Sequence, residues 1–268
     1  MSNWEDKVAV VTGGSAGLGR ALAQHWSAAG ARVVVVARHE AALQEVAKSL
    51  SSQGNQVHAL AADVTQQTDV DALFTRVREQ FGRLDVLINC AGRSDRGHVA
   101  ETSPAAFETL WQLNFLATVR CAQAALPLLS RTNGHLVNIG SLASKVAGPY
   151  LGAYPASKYA VAAFSHQLRL EIPSDDVHVL LVCPGPIARD DAGVRYADKT
   201  SSLPPSAQKP GGGAKLKGIS VERLSHLIMK ACERRKPELV VPGKARLLFA
   251  ISQLWPSLGD KLIRRMTD

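Results

Sequence analysis

Short apolar runs alternate with longer amphipathic stretches from residue 8 to residue 183. Val8-Ala9-Val10-Val11 is a continuous apolar run of strand length, as expected where both faces of a parallel sheet are covered. The turn Thr12-Gly13-Gly14-Ser15-Ala16-Gly17-Leu18-Gly19 then leads into a helical pattern that reaches Ala29 and is closed by Gly30. Arg32 to Ala37 predicts a second strand, His39 to Gln53 a helix, and Gln56 to Ala61 a third strand that runs on to Asp63 and Val64. A helix over 69–81 stopped by Gly82, a strand over 84–88 and a long helix entered at Ser103-Pro104 continue the series. Strands over 134–139, 177–183 and 239–241 follow, with helices over 153–172 and 220–234. Repeated strand–helix units of this kind predict an α/β architecture, one open parallel sheet with helices on both faces.

The alternation breaks after Pro184-Gly185. Residues 189–219 are rich in Pro, Gly, Ser and Lys, and they leave the carboxyl end of a strand, where open sheets bind their ligands. This stretch is expected to be a substrate lid. In the tail, residues 244–266, Leu247, Leu248, Ile251, Leu254, Leu258 and Leu262 recur at helical spacing between basic ends. Pro256 either kinks that helix or starts a new one. The tail reads as packing over the core or at a subunit interface, or as an interfacial helix in peripheral contact with a membrane. No linker interrupts the chain before residue 184, so a single domain spanning residues 1–268 is expected.

Composition narrows the function classes. The net charge of +8 is uneven: residues 1–188 hold 15 basic and 15 acidic side chains, whereas 189–268 hold 16 and 8. Without interleaved aromatics or a recognition motif this excess does not point to nucleic acid; an anionic cofactor, an acidic partner or a membrane surface is the simpler match. Cys90, Cys121, Cys183 and Cys232 are far apart and have no clustered histidines, as expected of thiols in a reducing compartment. Glu5 and Asp6 at the start do not suit a signal peptide, and no run of 18 apolar residues occurs, so a cytoplasmic protein is expected.

Candidate chemistry lies in two places. The glycine turn joins an apolar strand to a helix, placing that helix's N-terminal N–H groups and positive dipole end where a pyrophosphate can bind. Tyr154 and Lys158 stand four apart on a predicted helix, so both leave one face of it. A nearby ammonium group favours the phenolate and lowers the tyrosine pKa from its reference of about 10 toward the range useful for proton transfer. Ser141, at the end of a strand, can add a hydroxyl to the same spot.

With these pieces in place the chain resembles the short-chain dehydrogenase/reductase family, closely over residues 5 to about 190 and loosely beyond. The landmarks are Thr12-Gly13-x-x-x-Gly17-x-Gly19, Asp63-Val64, Asn89-x-Ala91-Gly92, Asn114, Ser141, Tyr154-x-x-x-Lys158 and Pro184-Gly185. The resemblance implies a Rossmann-like, doubly wound parallel sheet and hydride transfer between a nicotinamide cofactor and a small carbonyl or alcohol substrate. Tyr154 would be the general acid/base, Lys158 would lower its pKa and hold the nicotinamide ribose, Ser141 would bond the substrate oxygen, and Asn114 would sustain a water relay. Gly13, Ser15, Gly17, Leu18 and Gly19 would meet the pyrophosphate side, Asp63 and Val64 the adenine, and Asn89, Ala91 and Gly92 the loops around the ribose. Pro184, Gly185 and Ile187 would flank the nicotinamide. The family's usual threonine after Pro-Gly is missing here; Arg189 or backbone groups would substitute.

Cofactor choice follows from Arg38, which ends the second predicted strand where NAD-selecting enzymes place a carboxylate. A guanidinium suits a 2′-phosphate through charge and bidentate geometry, so NADP(H) is expected over NAD(H). The leading expectation is an NADPH-dependent reductase of an apolar ketone or aldehyde. The alternatives are an NAD-dependent alcohol dehydrogenase and a catalytically silent nucleotide-binding scaffold or sensor. The family's habit implies a homodimer or homotetramer paired through the helices of residues 104–130 and 153–172.

Overall fold

The computed structural model describes residues 4–52, 54–173, 175–188 and 203–267. Its strands are β1 (Val8–Thr12), β2 (Arg32–Ala37), β3 (Val57–Ala61), β4 (Val86–Asn89), β5 (His135–Ile139), β6 (His178–Pro184) and β7 (Glu238–Val241). They form one seven-stranded sheet in the order β3-β2-β1-β4-β5-β6-β7, every neighbouring pair parallel. The order reverses between β1 and β4, whose register pairs Val11 with Ile88. A crevice opens at such a switch point, beyond the carboxyl ends of the strands.

Continuous apolar runs serve two cores at once because successive side chains leave opposite faces. Ala9 and Val11 pack with Leu22, Trp26 and Leu224 on one face, and Val8 and Val10 with Leu73, Phe74 and Leu129 on the other. The first face is covered by α1 (Gly17–Ala28), α2 (Glu40–Ser51) and α7 (Val221–Glu233). The second is covered by α3 (Gln67–Phe81), α5 (Ala117–Ser130) and α6 (Tyr154–Glu171), with α4 (Pro104–Trp111) packed against α6. Helix starts follow local chemistry. The Ser103 hydroxyl accepts from Ala106 N–H at 3.3 Å, with Pro104 in the first turn, and Ser220 accepts from Arg223 N–H at 3.2 Å.

The structure departs from the sequence reading in one place and sharpens it in two. The long helix from Pro104 to Ser130 contains a π turn, Gln112–Leu116, in which Ala117 N–H reaches the Gln112 carbonyl five residues back. Within the expected lid, residues 189–202 lie outside the described residues, while Pro205–Gln208 forms a helical turn and Pro210–Gly213 a 3₁₀ turn. The lid's stem is closed: Ala188 N–H donates to Ile219 O (2.8 Å) and Ile219 N–H to Pro186 O (2.9 Å). The tail breaks at Trp255 into α8 (Ala245–Leu254) and α9 (Pro256–Thr267), so Pro256 starts a helix.

The histidines of the amino edge are a further correction. The parallel register sets His135 opposite His178, and both come beside Cys232 although the sequence shows no cluster there. His178 Nε2–H donates to Lys236 O (2.7 Å), leaving His178 Nδ1 to accept from His135 Nδ1–H at 2.9 Å. Burial, then the neighbouring His178 and Arg235, pushes His135 down to about 3. These rings belong to the end of the sheet opposite the crevice.

Candidate active site

A cavity of about 760 Å³ occupies the crevice. It starts at the turn between β1 and α1, passes the ends of β4, β5 and β6, and finishes against α8 and α9. At the first end, Gly13 (φ +68°) and Gly17 (φ +52°) adopt backbone conformations that side chains disfavour. A Cβ on Gly19 would collide with the Gly13 carbonyl, so the first turn of α1 lies directly on the loop that precedes it. This cradle presents a helix N-terminus and fits the pyrophosphate of a dinucleotide. The Thr12 hydroxyl ties the floor together by accepting from Cys90 N–H (3.0 Å) and Ala91 N–H (3.1 Å), which locks β1 to the loop after β4.

The catalytic candidates come together on the middle wall. Ser141, Tyr154 and Lys158 all line the cavity. Ser141 follows β5 and caps a 3₁₀ turn: its hydroxyl accepts from Ala143 N–H (3.1 Å), while its own N–H donates to Ser144 Oγ (3.0 Å). The Ser141 proton therefore remains to be donated to a ligand. Lys158 is buried, and its ammonium donates to Ile139 O at 2.7 Å. Two of its three N–H donors are left for other partners. Burial pulls its pKa down to about 8, with Cys90 and Cys183 acting weakly the other way. An ammonium group held here stays charged at neutral pH and loses its proton just above it.

Asn114 is fully buried at the π turn, with both N–H groups of its amide and one acceptor site of its oxygen engaged. Its Oδ1 accepts from Arg93 N–H (2.9 Å), and its Nδ2 donates to Arg93 O (2.9 Å) and to Ser157 Oγ (2.9 Å). Ser157 Oγ in turn donates to Tyr154 O at 2.7 Å. These bonds give the Asn114 side chain a positioning role: it binds the loop after β4 to the helix that carries Tyr154 and Lys158. Gly92 fits only as glycine here, because a Cβ would sit 2.9 Å from Asn114 Oδ1.

Of the other expected cofactor contacts, Gly13, Gly17, Leu18, Gly19, Ala91, Gly92, Pro184, Gly185 and Ile187 line the cavity. Ser15, Arg38, Asp63, Val64 and Asn89 do not. Asn89 is buried and donates to Asn138 Oδ1 (3.0 Å) and Thr118 O (3.4 Å), so it supports the loop from beneath. Val64 is buried in the core. Arg38 is exposed after β2, near Asp63 after β3, and the two stand beyond the pyrophosphate cradle. Burial would raise the Asp63 pKa, but the Thr65 N–H (2.9 Å) and O–H (2.7 Å) together with the Arg38 charge hold it below the usual carboxylate value. The expectation for Arg189 lies outside the described residues.

The far wall is apolar. Leu247, Leu248, Phe249 and Ile251 of α8 and Leu262, Ile263 and Met266 of α9 face the cavity. Arg96, a residue the sequence reading missed, clamps the strap beside them by donating to Ala207 O (2.8 Å) and Lys209 O (3.3 Å). Ser157, Ser144 and Thr12 were missed as partners too. Polar residues in otherwise apolar runs were the available signal for Thr12 and Ser157, and the Ser-x-x-Ser spacing for Ser144.

Comparisons with known proteins show which proteins share this sequence pattern and fold. The family model described as short chain dehydrogenase matches residues 7–199. The chain is 31% identical over 267 residues to dehydrogenase/reductase SDR family member 7B of Danio rerio, covering 96% of this chain and 84% of that one. A variant of actinorhodin polyketide ketoreductase, solved with NADPH, superposes with TM-score 0.79 at 26% identity, covering 90% of this chain and 97% of its own. A short-chain dehydrogenase/reductase from Burkholderia phymatum, solved with NAD, reaches TM-score 0.79 at 24% identity over 95% and 96% of the two chains, a likeness of fold.

Proposed function

The chain belongs to the short-chain dehydrogenase/reductase family of NAD(P)-dependent oxidoreductases, and from that premise we propose that it reduces an apolar ketone or aldehyde with NADPH. The observation that carries this reading is one cavity with a phosphate cradle at its start, Ser141, Tyr154 and Lys158 at its middle and an aliphatic wall at its end. The bound nicotinamide supplies the hydride. Every other task falls to side chains. Tyr154 gives its proton to the carbonyl oxygen as negative charge develops there. Ser141 donates a second hydrogen bond to that oxygen, from a hydroxyl already fixed by Ala143 and Ser144. Lys158, charged at neutral pH, favours the phenolate that Tyr154 becomes and turns its remaining N–H donors to the ribose. The apolar wall excludes water and holds the substrate's body.

Arg38 supports NADPH over NADH: it is exposed at the end of β2 with no acid in the Ala37-Arg38-His39 stretch. Losing a charge-assisted pair with the 2′-phosphate costs about 2 kcal/mol, some thirtyfold in affinity. The Cys90, Cys121, Cys183 and Cys232 thiols support a reducing compartment, and we place the enzyme in the cytoplasm. Exposed Trp111 on α4 and Tyr159 on α6 support pairing of these helices in a homo-oligomer.

The test is a series of methyl ketones of increasing chain length, followed by oxidation of NADPH and of NADH. The reading expects NADPH to be favoured about thirtyfold and kcat/KM to rise about fourfold per added methylene, from ~0.8 kcal/mol per buried CH₂. In Arg38→Asp the cofactor preference should invert. Preference for NADH in the unaltered protein, or turnover only with alcohols and NAD, would replace this reading with the oxidative one.

A further inference from the structure

We propose that the hairpin of α8 and α9 seats this protein on an anionic lipid surface, with the cavity opening toward that surface. Four of the eight large apolar residues exposed among the described ones lie within this hairpin: Leu247 (68%), Leu254 (67%), Trp255 (59%) and Leu258 (48%). Leu247 and Leu254 are seven apart and share one face of α8, and Trp255 at the elbow and Leu258 in the first turn of α9 follow directly on Leu254. An adjacent face of the same helices lines the cavity, and Leu247 belongs to both. The exposed apolar strip is therefore continuous with the cavity wall.

Charge identifies the occupant. Residues 244–267 carry Lys244, Arg246, Lys261, Arg264 and Arg265 against the single acid Asp260. Arg246 pairs with Glu238 at 3.3 Å, so the unneutralised excess rests on Lys244 at the start of α8 and on Lys261, Arg264 and Arg265 along α9, basic side chains suited to headgroups beside an apolar strip. A second copy of this chain fits the patch less well, because a two-fold contact would set these cations against their own copies. No helix among the described residues is long and apolar enough to cross a membrane, so the contact is interfacial.

The display is fixed. Gly259 packs on Ser252, where a Cβ would approach Ser252 Cα to 2.6 Å, and Lys215 N–H donates to Met266 O at 2.9 Å. The strip is thus held by the fold before any lipid is present.

Vesicle co-sedimentation tests this without turnover, so its outcome is separate from that of the substrate reading. The unaltered protein is expected to bind vesicles of phosphatidylcholine mixed with phosphatidylglycerol about tenfold or more tightly than pure phosphatidylcholine, with the difference shrinking in salt. The variant Leu254→Ser/Trp255→Ser/Leu258→Ser should lose about tenfold or more of that binding while keeping its NADPH affinity and thermal midpoint. Lys261→Glu/Arg264→Glu/Arg265→Glu should remove the preference for the anionic lipid. Absence of vesicle binding, or equal binding by the apolar variant, overturns the proposal. So does conversion of an oligomer to a monomer by that variant in sedimentation equilibrium, since the patch would then be covered by a second copy.

Discussion

The two walls of the cavity are built by opposite rules. On the wall formed by β5 and α6, Ser141, Lys158 and the Asn114–Ser157 pair are each held by at least one hydrogen bond of 3.1 Å or less. The wall formed by α8 and α9 presents aliphatic side chains, tied at its margin by the Lys215–Met266 backbone contact. Proton transfer depends on distance and direction, so its groups must be fixed before substrate arrives. Burial of an apolar chain depends on area removed from water and tolerates variation in which side chains supply it. The difference separates rate from recognition.

Lys158→Met attacks the fixed wall most directly. With its charge gone, kcat/KM is expected to fall about 10²–10³-fold in a steady-state assay. Stability should not fall with it. The folded lysine releases its proton near 8 while the unfolded one keeps it to 10.5, so the unaltered protein gains stability as pH rises between those values. At neutral pH the buried ammonium is a burden, and urea titration should show the variant at least as stable as the parent. A large loss of stability would mean that Lys158 is structural.

Gly92→Ala forces a methyl group to 2.9 Å from Asn114 Oδ1. The expected result is about 1–3 kcal/mol of destabilisation in denaturant titration and a roughly tenfold loss of kcat, because the loop and α6 separate. On the aliphatic wall, Leu262→Ala should raise KM by an amount that grows with substrate chain length, up to about tenfold, with a much smaller change in kcat. If kcat collapsed instead, the division between the walls would fail.

The smallest effect lies outside both walls. His135 titrates near 3 when folded and near 6.5 when unfolded, so between these values the unfolded chain binds more protons. Stability should therefore decline as pH falls from about 6.5 toward about 3, and His135→Phe should flatten that part of the profile in thermal unfolding.

The sequence disclosed whatever is encoded by neighbours. Strands β1 to β7, the glycine turn, the Ser103-Pro104 helix start and the Tyr154/Lys158 pair all rest on spacings of a few residues. It was silent where partners meet only after folding: Asn114 finds Ser157 across 43 residues, Thr12 finds Ala91 across 79, and register joins His135 to His178. The π turn escaped notice because Gln112 to Leu116 continues an ordinary helical pattern. The tail was legible as amphipathic helix, but periodicity does not say which surface an apolar face covers, and only the fold brings Leu262 and Met266 over the cavity.

The central claim is that Tyr154 delivers the proton while the rest of the chain holds cofactor and substrate. Tyr154→Phe, assayed in parallel for ketone-dependent NADPH oxidation and for NADPH affinity by fluorescence titration, tests it. The account predicts a fall in kcat of about 10²–10⁴-fold with affinity for NADPH changed less than about twofold. Retention of more than about a tenth of the parent's turnover with NADPH still bound would contradict it.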